Sequence, residues 1–194
     1  MQRIVCLEPK GARIKICLES GQSFMLYKSE VRKFHLSENE YIQQDNYSEI
    51  MEVLYKRARE RALYILDTAY KTEYQIREKL KNGLYPDEII DSVVSYLSEY
   101  HLIDDLRYSV MYIEYKENSK SRRQIMQDLY GKGVKKQIID IAFEESEYSD
   151  EKSLNSIISQ KIKKYNMNDT KDIQKLYRYL LSKGYGYSEV KKAL

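Results

Sequence analysis

The sequence predicts a mainly α-helical protein: three tandem three-helix repeats forming an elongated, curved array, preceded by a small N-terminal β meander. Three observations predict it. Apolar residues recur at helical spacing from about Ser48 to the end of the chain, whereas before that point they alternate. Two capping boxes, Thr72-Glu73-Tyr74-Gln75 and Ser121-Arg122-Arg123-Gln124, each open a short helix that carries a leucine, Leu80 and Leu129. Leu180 continues that series, so 49 residues separate the first two leucines and 51 the next two. A fixed period of this length marks stacked units, each too small to bury its apolar face alone.

Residues 1–47 form the β segment. Ile14, Ile16 and Leu18 share one face of a strand whose other face carries Arg13 and Lys15. Ile4 to Leu7 is its partner, with Pro9-Lys10-Gly11 as the turn, and Ser20-Gly21-Gln22 leads into a third strand from Ser23 to Tyr27. A short helix is expected over Ser29 to Phe34.

The repeats are expected at 48–104, 105–149 and 150–194, with first helices over Ser48 to Ala69, Asp105 to Glu117 and Asp150 to Tyr165. In the first repeat Val53, Leu54, Leu63, Leu66 and Tyr70 recur at near-helical spacing, and Ile76 and Leu80 share a face of the second helix. Asn82-Gly83 is the expected stop, with Gly taking the left-handed conformation of a C-cap, and Pro86 starts the third helix. Ile89, Val93 and Leu97 line its inner face. Ile125, Leu129, Gly133, Ile138, Ile139 and Ala142 repeat the pattern, and Leu176, Leu180, Gly184, Val190 and Leu194 repeat it again.

Several classes are disfavoured. No stretch approaches 18 unbroken apolar residues, which argues against a membrane-spanning helix. The first residues run into Glu8 and Lys10 without the apolar stretch of a signal peptide, so a cytoplasmic location is expected. Cys6 and Cys17 fall on one predicted hairpin, and in a reducing compartment they are expected as free thiols. With His35 and His101 far away, they make no zinc site of recognisable spacing, and no metal or cofactor is expected. There is no glycine-rich phosphate loop and no histidine placed to activate a Ser or Cys nucleophile. Asp104-Asp105 is a pair of acids at a helix border, but adjacent side chains diverge, and its expected role is to cap the helix that follows. No catalytic residue is assigned, and the protein is expected not to be an enzyme.

The net charge is only +3, but its distribution is uneven. Residues 85–105 hold six acids and no Lys or Arg. Residues 120–136 hold Lys120, Arg122, Arg123, Lys132, Lys135 and Lys136 against Asp128 alone. Residues 161–183 hold seven bases, led by Lys161, Lys163 and Lys164, against Asp169 and Asp172. For any single block the commoner reading is a solvated helix face; together they suggest a basic side suited to a polyanion or acidic partner. Arg122 and Arg123 stand in the first turn of a helix, and Lys135 and Lys136 start the next, where the helix dipole disfavours cations by a few tenths of a kcal/mol or so. Those nine Lys and Arg residues are the candidate binding surface.

Twenty tyrosines accompany no tryptophan. Tyr108, Tyr112 and Tyr115 share a helix face and are expected to pack between helices, although stacking on single-stranded nucleic acid is the other use of such a stripe. Tyr74, Tyr130, Tyr185 and Tyr187 lie beside bases and are more open to contact.

Three stretches together resemble the RecX family: Thr72-Glu73-x-x-Ile76-x-x-x-Leu80; Leu102-Ile103-Asp104-Asp105-x-Arg107-Tyr108; and Lys120-Ser121-Arg122-Arg123-Gln124-Ile125-x-x-x-Leu129-x-x-Lys132-Gly133-Val134, with Ile138 beyond. The resemblance covers roughly Ala58 to Glu145 well and residues 150–194 more loosely. Ser109 stands where the family often has Ala. What it implies is a monomeric, non-catalytic regulator of DNA repair, recombination and the SOS response. Such a protein would bind in the groove of the RecA–DNA filament, contact DNA weakly or indirectly, and inhibit filament growth, ATP hydrolysis and strand exchange. The alternative from the residues alone is a helical-repeat nucleic-acid-binding protein with no recombinase partner.

Overall fold

The computed structural model describes residues Gln2–Leu194. Strands β1 (Gln2–Lys10), β2 (Arg13–Leu18) and β3 (Ser23–Tyr27) precede helix α1 (Lys28–Lys33), strand β4 (Tyr41–Ile42) and helix α2 (Gln44–Thr68). Then come α3 (Glu73–Lys81), α4 (Asp87–Glu99), α5 (Asp105–Lys116), α6 (Arg122–Gly131) and α7 (Lys136–Glu145). The chain ends with α8 (Asp150–Lys161), a 3₁₀ turn (Ile162–Lys164), α9 (Thr170–Ser182) and α10 (Tyr187–Ala193). The mainly helical class, the tandem three-helix repeats and the N-terminal antiparallel sheet follow the sequence expectation. The chain divides into two compact units, one ending at Ile103 and the other beginning at Asp104.

In the first unit the sheet has four strands in the order β3-β2-β1-β4, all neighbours antiparallel. The meander is longer than its hydrophobic pattern suggests. Strand β1 runs through Pro9 and Lys10, and the turn is Gly11-Ala12, with Gly11 at φ +66°. Pro9 is tolerated because β4 pairs only with Gln2 and Arg3, leaving β1 an edge strand at Pro9. An irregularity between Ile4 and Cys6 shifts the register and turns Val5 outward.

The inner sheet face, α1 and the first three-helix repeat share one core. Ile4, Ile16, Phe24 and Leu26 join Ile50, Leu54, Ile76, Leu80, Val93 and Leu97, all buried. Arg57 of α2 fastens this join: it ion-pairs with Glu30 of α1 at 2.5 Å and lies 4.7 Å over the Tyr27 ring. The buried stripe of α2 is Ile50, Leu54, Ala58, Ala62 and Ile65. The sequence reading placed Leu63 and Tyr70 on that face, but both are exposed, and Tyr70 lies beyond the helix end. The larger side chains attract attention in a sequence. The packed face instead runs through two alanines, which let α3 and α4 approach closely.

Both expected capping boxes are present: Thr72 and Ser121 each accept from the amide three residues on, while Gln75 and Gln124 reach back. The turn after the second helix is the same in all three repeats. In each, a backbone amide reaches back five residues to the marker leucine: Tyr85 to Leu80, Val134 to Leu129 and Tyr185 to Leu180. The residue before that amide is left-handed: Leu84 at φ +58°, Gly133 at +80° and Gly184 at +96°. This is a Schellman closure. The expected left-handed Gly83 is therefore corrected: the position falls one residue later, on a leucine. His35 and His101 hold the same left-handed place after α1 and α4, at φ +50° and +52°.

In the second unit, Ile113, Ile125, Leu129, Val134, Ile139, Ala142 and Phe143 form one core; Leu154, Ile157, Leu176, Leu180, Tyr185 and Val190 form another. Polar side chains stitch the two repeats. The Ser121 hydroxyl donates to the Lys183 carbonyl at 2.5 Å. Ser153, buried, donates to the Lys120 carbonyl at 3.0 Å and lies 2.7 Å from the Tyr185 hydroxyl. Asp104 accepts from the Arg107 amide at 2.9 Å, as a cap should, and the buried Ser109 hydroxyl donates to the Asp105 carbonyl at 2.6 Å. Among the described residues no helix is long and apolar enough to cross a membrane.

Candidate partner-binding surface

The second unit supplies the nine candidate cations, in three different settings. Ser121 caps α6, so Arg122 and Arg123 are its first two residues, in a first turn without acids. Both are exposed. The Arg122 guanidinium lies 4.2 Å over the Phe143 ring, which holds it against α7 while its edge stays in water. Arg123 crosses to the third repeat: a Cβ added to Gly184 would come within 2.7 Å of its Cδ. The two arginines line a groove of about 400 Å³ with Met126, Tyr130, Gly184 and Glu189.

Lys120 and Lys132 converge on one acid. Lys120 ion-pairs with Asp128 Oδ2, the same oxygen that accepts from the Tyr112 hydroxyl at 2.7 Å. The Lys132 ammonium lies 5.3 Å over the Tyr112 ring. Partial burial pushes the Asp128 carboxyl up, but hydrogen bonds from Lys120 and Tyr112 and the charges of Lys120 and Lys132 bring it below its ordinary value. Burial, followed by the hydrogen bond to Asp128, raises the Tyr112 hydroxyl far above the ordinary tyrosine range. Lys120 is thus committed to a local ion pair, a role its place in a basic block does not reveal.

Lys135 is the N-cap of α7 and Lys136 its first residue, both exposed. Lys136 pairs with Asp140 one turn on, at 3.1 Å. Lys161 ends α8 and lies 5.2 Å over the Tyr179 ring, while Lys163 and Lys164 project from the 3₁₀ turn. Arg122, Arg123, Lys135 and Lys136 are therefore the helix-start cations, and Lys161, Lys163 and Lys164 belong to a separate stretch.

The tyrosines sort in the same way. Tyr108 and Tyr112 stack with ring centroids 6.2 Å apart and pack on the core of the second repeat, whereas Tyr115 is 76% exposed with Lys116 over its ring. Tyr74, Tyr130 and Tyr187 are exposed. Tyr185 is corrected: it is only 4% exposed, and its hydroxyl is engaged with Ser153, so it is architectural. A further group of cations, Lys56, Arg57, Arg59 and Arg61, lies on α2 outside those blocks. Arg59 lies 5.3 Å over Tyr96 and Arg61 5.8 Å over Tyr64.

Fold and surface together define a tandem three-helix-repeat protein with cations gathered at helix starts. Family models match it in three consecutive stretches: the first RecX three-helix domain at residues 58–97, the second at 104–142 and the third at 149–194. The Regulatory protein RecX of Clostridium beijerinckii is 32% identical, over 95% of this chain and 89% of its own. That of Clostridium acetobutylicum is 28% identical, over 99% and 93%. A crystal structure of regulatory protein RecX matches with a TM-score of 0.65 at 22% identity, covering 100% of this chain and 98% of that one, a likeness of fold. The chain belongs to the RecX family of regulatory proteins.

Proposed function

We propose that this protein is a non-catalytic regulator that binds the RecA–DNA filament and restrains the recombinase, lowering its ATP hydrolysis and strand exchange during DNA repair and the SOS response. The observation that carries the reading is the match to all three domains of one regulatory family, in order along the chain. The surface is consistent with it: Arg122, Arg123, Lys135 and Lys136 are exposed cations at helix starts, a chemistry that suits acidic protein or phosphate. Asp104 serves as a helix cap and Asp128 as a counter-ion, so both have structural work. The protein is taken to act in the cytoplasm as a monomer, touching DNA weakly or through the recombinase.

The test is single-strand-DNA-dependent ATP hydrolysis by the cognate RecA with this protein titrated in. Inhibition well below one protein per recombinase supports action on filament growth. No effect, together with tight and salt-sensitive binding to bare nucleic acid, overturns it in favour of a general nucleic-acid-binding protein.

A further inference from the structure

The outer face of the N-terminal hairpin brings together three side chains that the family-matched repeats do not include. Cys6 on β1 and Cys17 on β2 are directly paired across the ladder. Glu8 lies two residues from Cys6, hence on the same face of the strand. Its Oε1 is 3.8 Å from the Cys6 sulfur and 4.0 Å from the Cys17 sulfur, and the three donor atoms all lie within 4.8 Å of one another. The other oxygen, Oε2, faces Lys10 at 3.6 Å and Lys15 at 3.9 Å.

These separations suit a tetrahedral ion. With metal–sulfur bonds of about 2.3 Å and metal–oxygen bonds of about 2.0 Å, tetrahedral angles place sulfur and oxygen about 3.5 Å apart. Both sulfur–oxygen distances need to contract by only about half an ångström to reach that value. The donors are partly exposed, so an ion and a fourth, exchangeable ligand have access. The charges also fit. Two thiolates and a carboxylate overcompensate a divalent ion by one, and the two lysines at Oε2 supply positive charge while holding the carboxylate in orientation. Two sulfur donors favour a thiophilic ion over magnesium or calcium.

We propose that Cys6, Cys17 and Glu8 form a binding site for a thiophilic divalent cation of the zinc type, clasping β1 to β2. Binding displaces the two thiol protons and leaves one coordination position for water. The spacing of cysteines and histidines gives no hint of it, because the third donor is a glutamate and the second cysteine arrives through strand pairing.

The experiment uses the full chain, kept reduced. Zinc affinity is measured by competition with a chromophoric chelator, and cobalt(II) serves as the spectroscopic probe. The expected result is one zinc per chain and a thiolate-to-cobalt charge-transfer band with tetrahedral d–d absorption. Cys6→Ser and Cys17→Ser should each abolish or strongly reduce that band. Glu8→Gln should retain sulfur coordination but weaken zinc by roughly tenfold or more. A wild-type cobalt spectrum without thiolate charge transfer overturns the proposal whatever the variants do. So does zinc affinity that survives unchanged in the Cys6→Ser, Cys17→Ser double variant, with helicity by circular dichroism confirming that the variant is folded.

Discussion

The Ser121 hydroxyl serves two repeats at once: it accepts from the Gln124 amide at 3.3 Å to cap α6, and it donates to the Lys183 carbonyl at 2.5 Å at the end of α9. The residue is 1% exposed, so water cannot replace either bond without rearrangement. Ser121→Ala removes the cap and leaves a carbonyl short of a donor, and should cost about 1–3 kcal/mol in urea unfolding. Ser121→Thr should retain most of the stability, since Thr72 fills the corresponding cap in the first repeat. Equal losses in both variants would show that the hydroxyl is not the source of the effect.

Gly184→Ala should destabilise the protein by about 1–2 kcal/mol, because φ +96° is strained for a residue with a Cβ. A second part of the cost comes from Arg123, whose Cδ and Cβ lie 2.7 and 3.0 Å from the new methyl. Arg123→Ala in the same chain removes the Cδ but keeps the Cβ, so it should recover most of that second part and none of the first. Strict additivity of the two substitutions in a double-mutant cycle would refute the contact.

Asp128 gives a pH dependence whose direction follows from its lowered carboxyl. A carboxyl held below its unfolded value near 3.8 contributes stability that is fully present above about pH 5 and is lost as pH falls through that unfolded value and then the folded one. Asp128→Asn, which keeps an acceptor oxygen for Lys120 and Tyr112 but removes the charge they bind, should cost about 1–2 kcal/mol at neutral pH. The gap between variant and wild type, followed by urea unfolding, should close on acidification. A gap that stays constant down to pH values below the folded one would assign the loss to packing.

Replacing Arg122, Arg123, Lys135 and Lys136 together with Ala should weaken association with the RecA filament while circular dichroism remains that of the wild type. The salt dependence of binding should also become shallower, by up to about one unit of log–log slope for each lost phosphate contact. Unchanged affinity at moderate salt would remove this surface from consideration. Lys120→Ala should behave differently, with stability falling rather than affinity, because its ammonium is committed to Asp128.

Local features were legible in the sequence. The capping boxes at Thr72 and Ser121 and the Asp104 cap depend on neighbours a few residues away, and they appear as read; the 49-residue and 51-residue steps between leucines show as a period along the chain. What was not legible depended on distance or on exact register. Gly83 looks like the left-handed stop, yet backbone closure onto Leu80 selects Leu84. The stripe of α2 runs through Ala58 and Ala62, small residues that a hydrophobic pattern undervalues. Tyr112 meets Asp128 from 16 residues away, so nothing local separates Lys120, which is neutralised, from Arg122, which is exposed.

The turn shared by Leu84, Gly133 and Gly184 gives the three repeats a common joint. Where the backbone leaves the second helix and enters the third by the same path, a segment can be exchanged between repeats at that joint without altering where the following helix begins. A cut inside a helix has no such freedom, since it would rotate every later side chain about the axis. Leu84, which keeps the path without the glycine, shows that the joint is defined by its backbone course and not by one residue type.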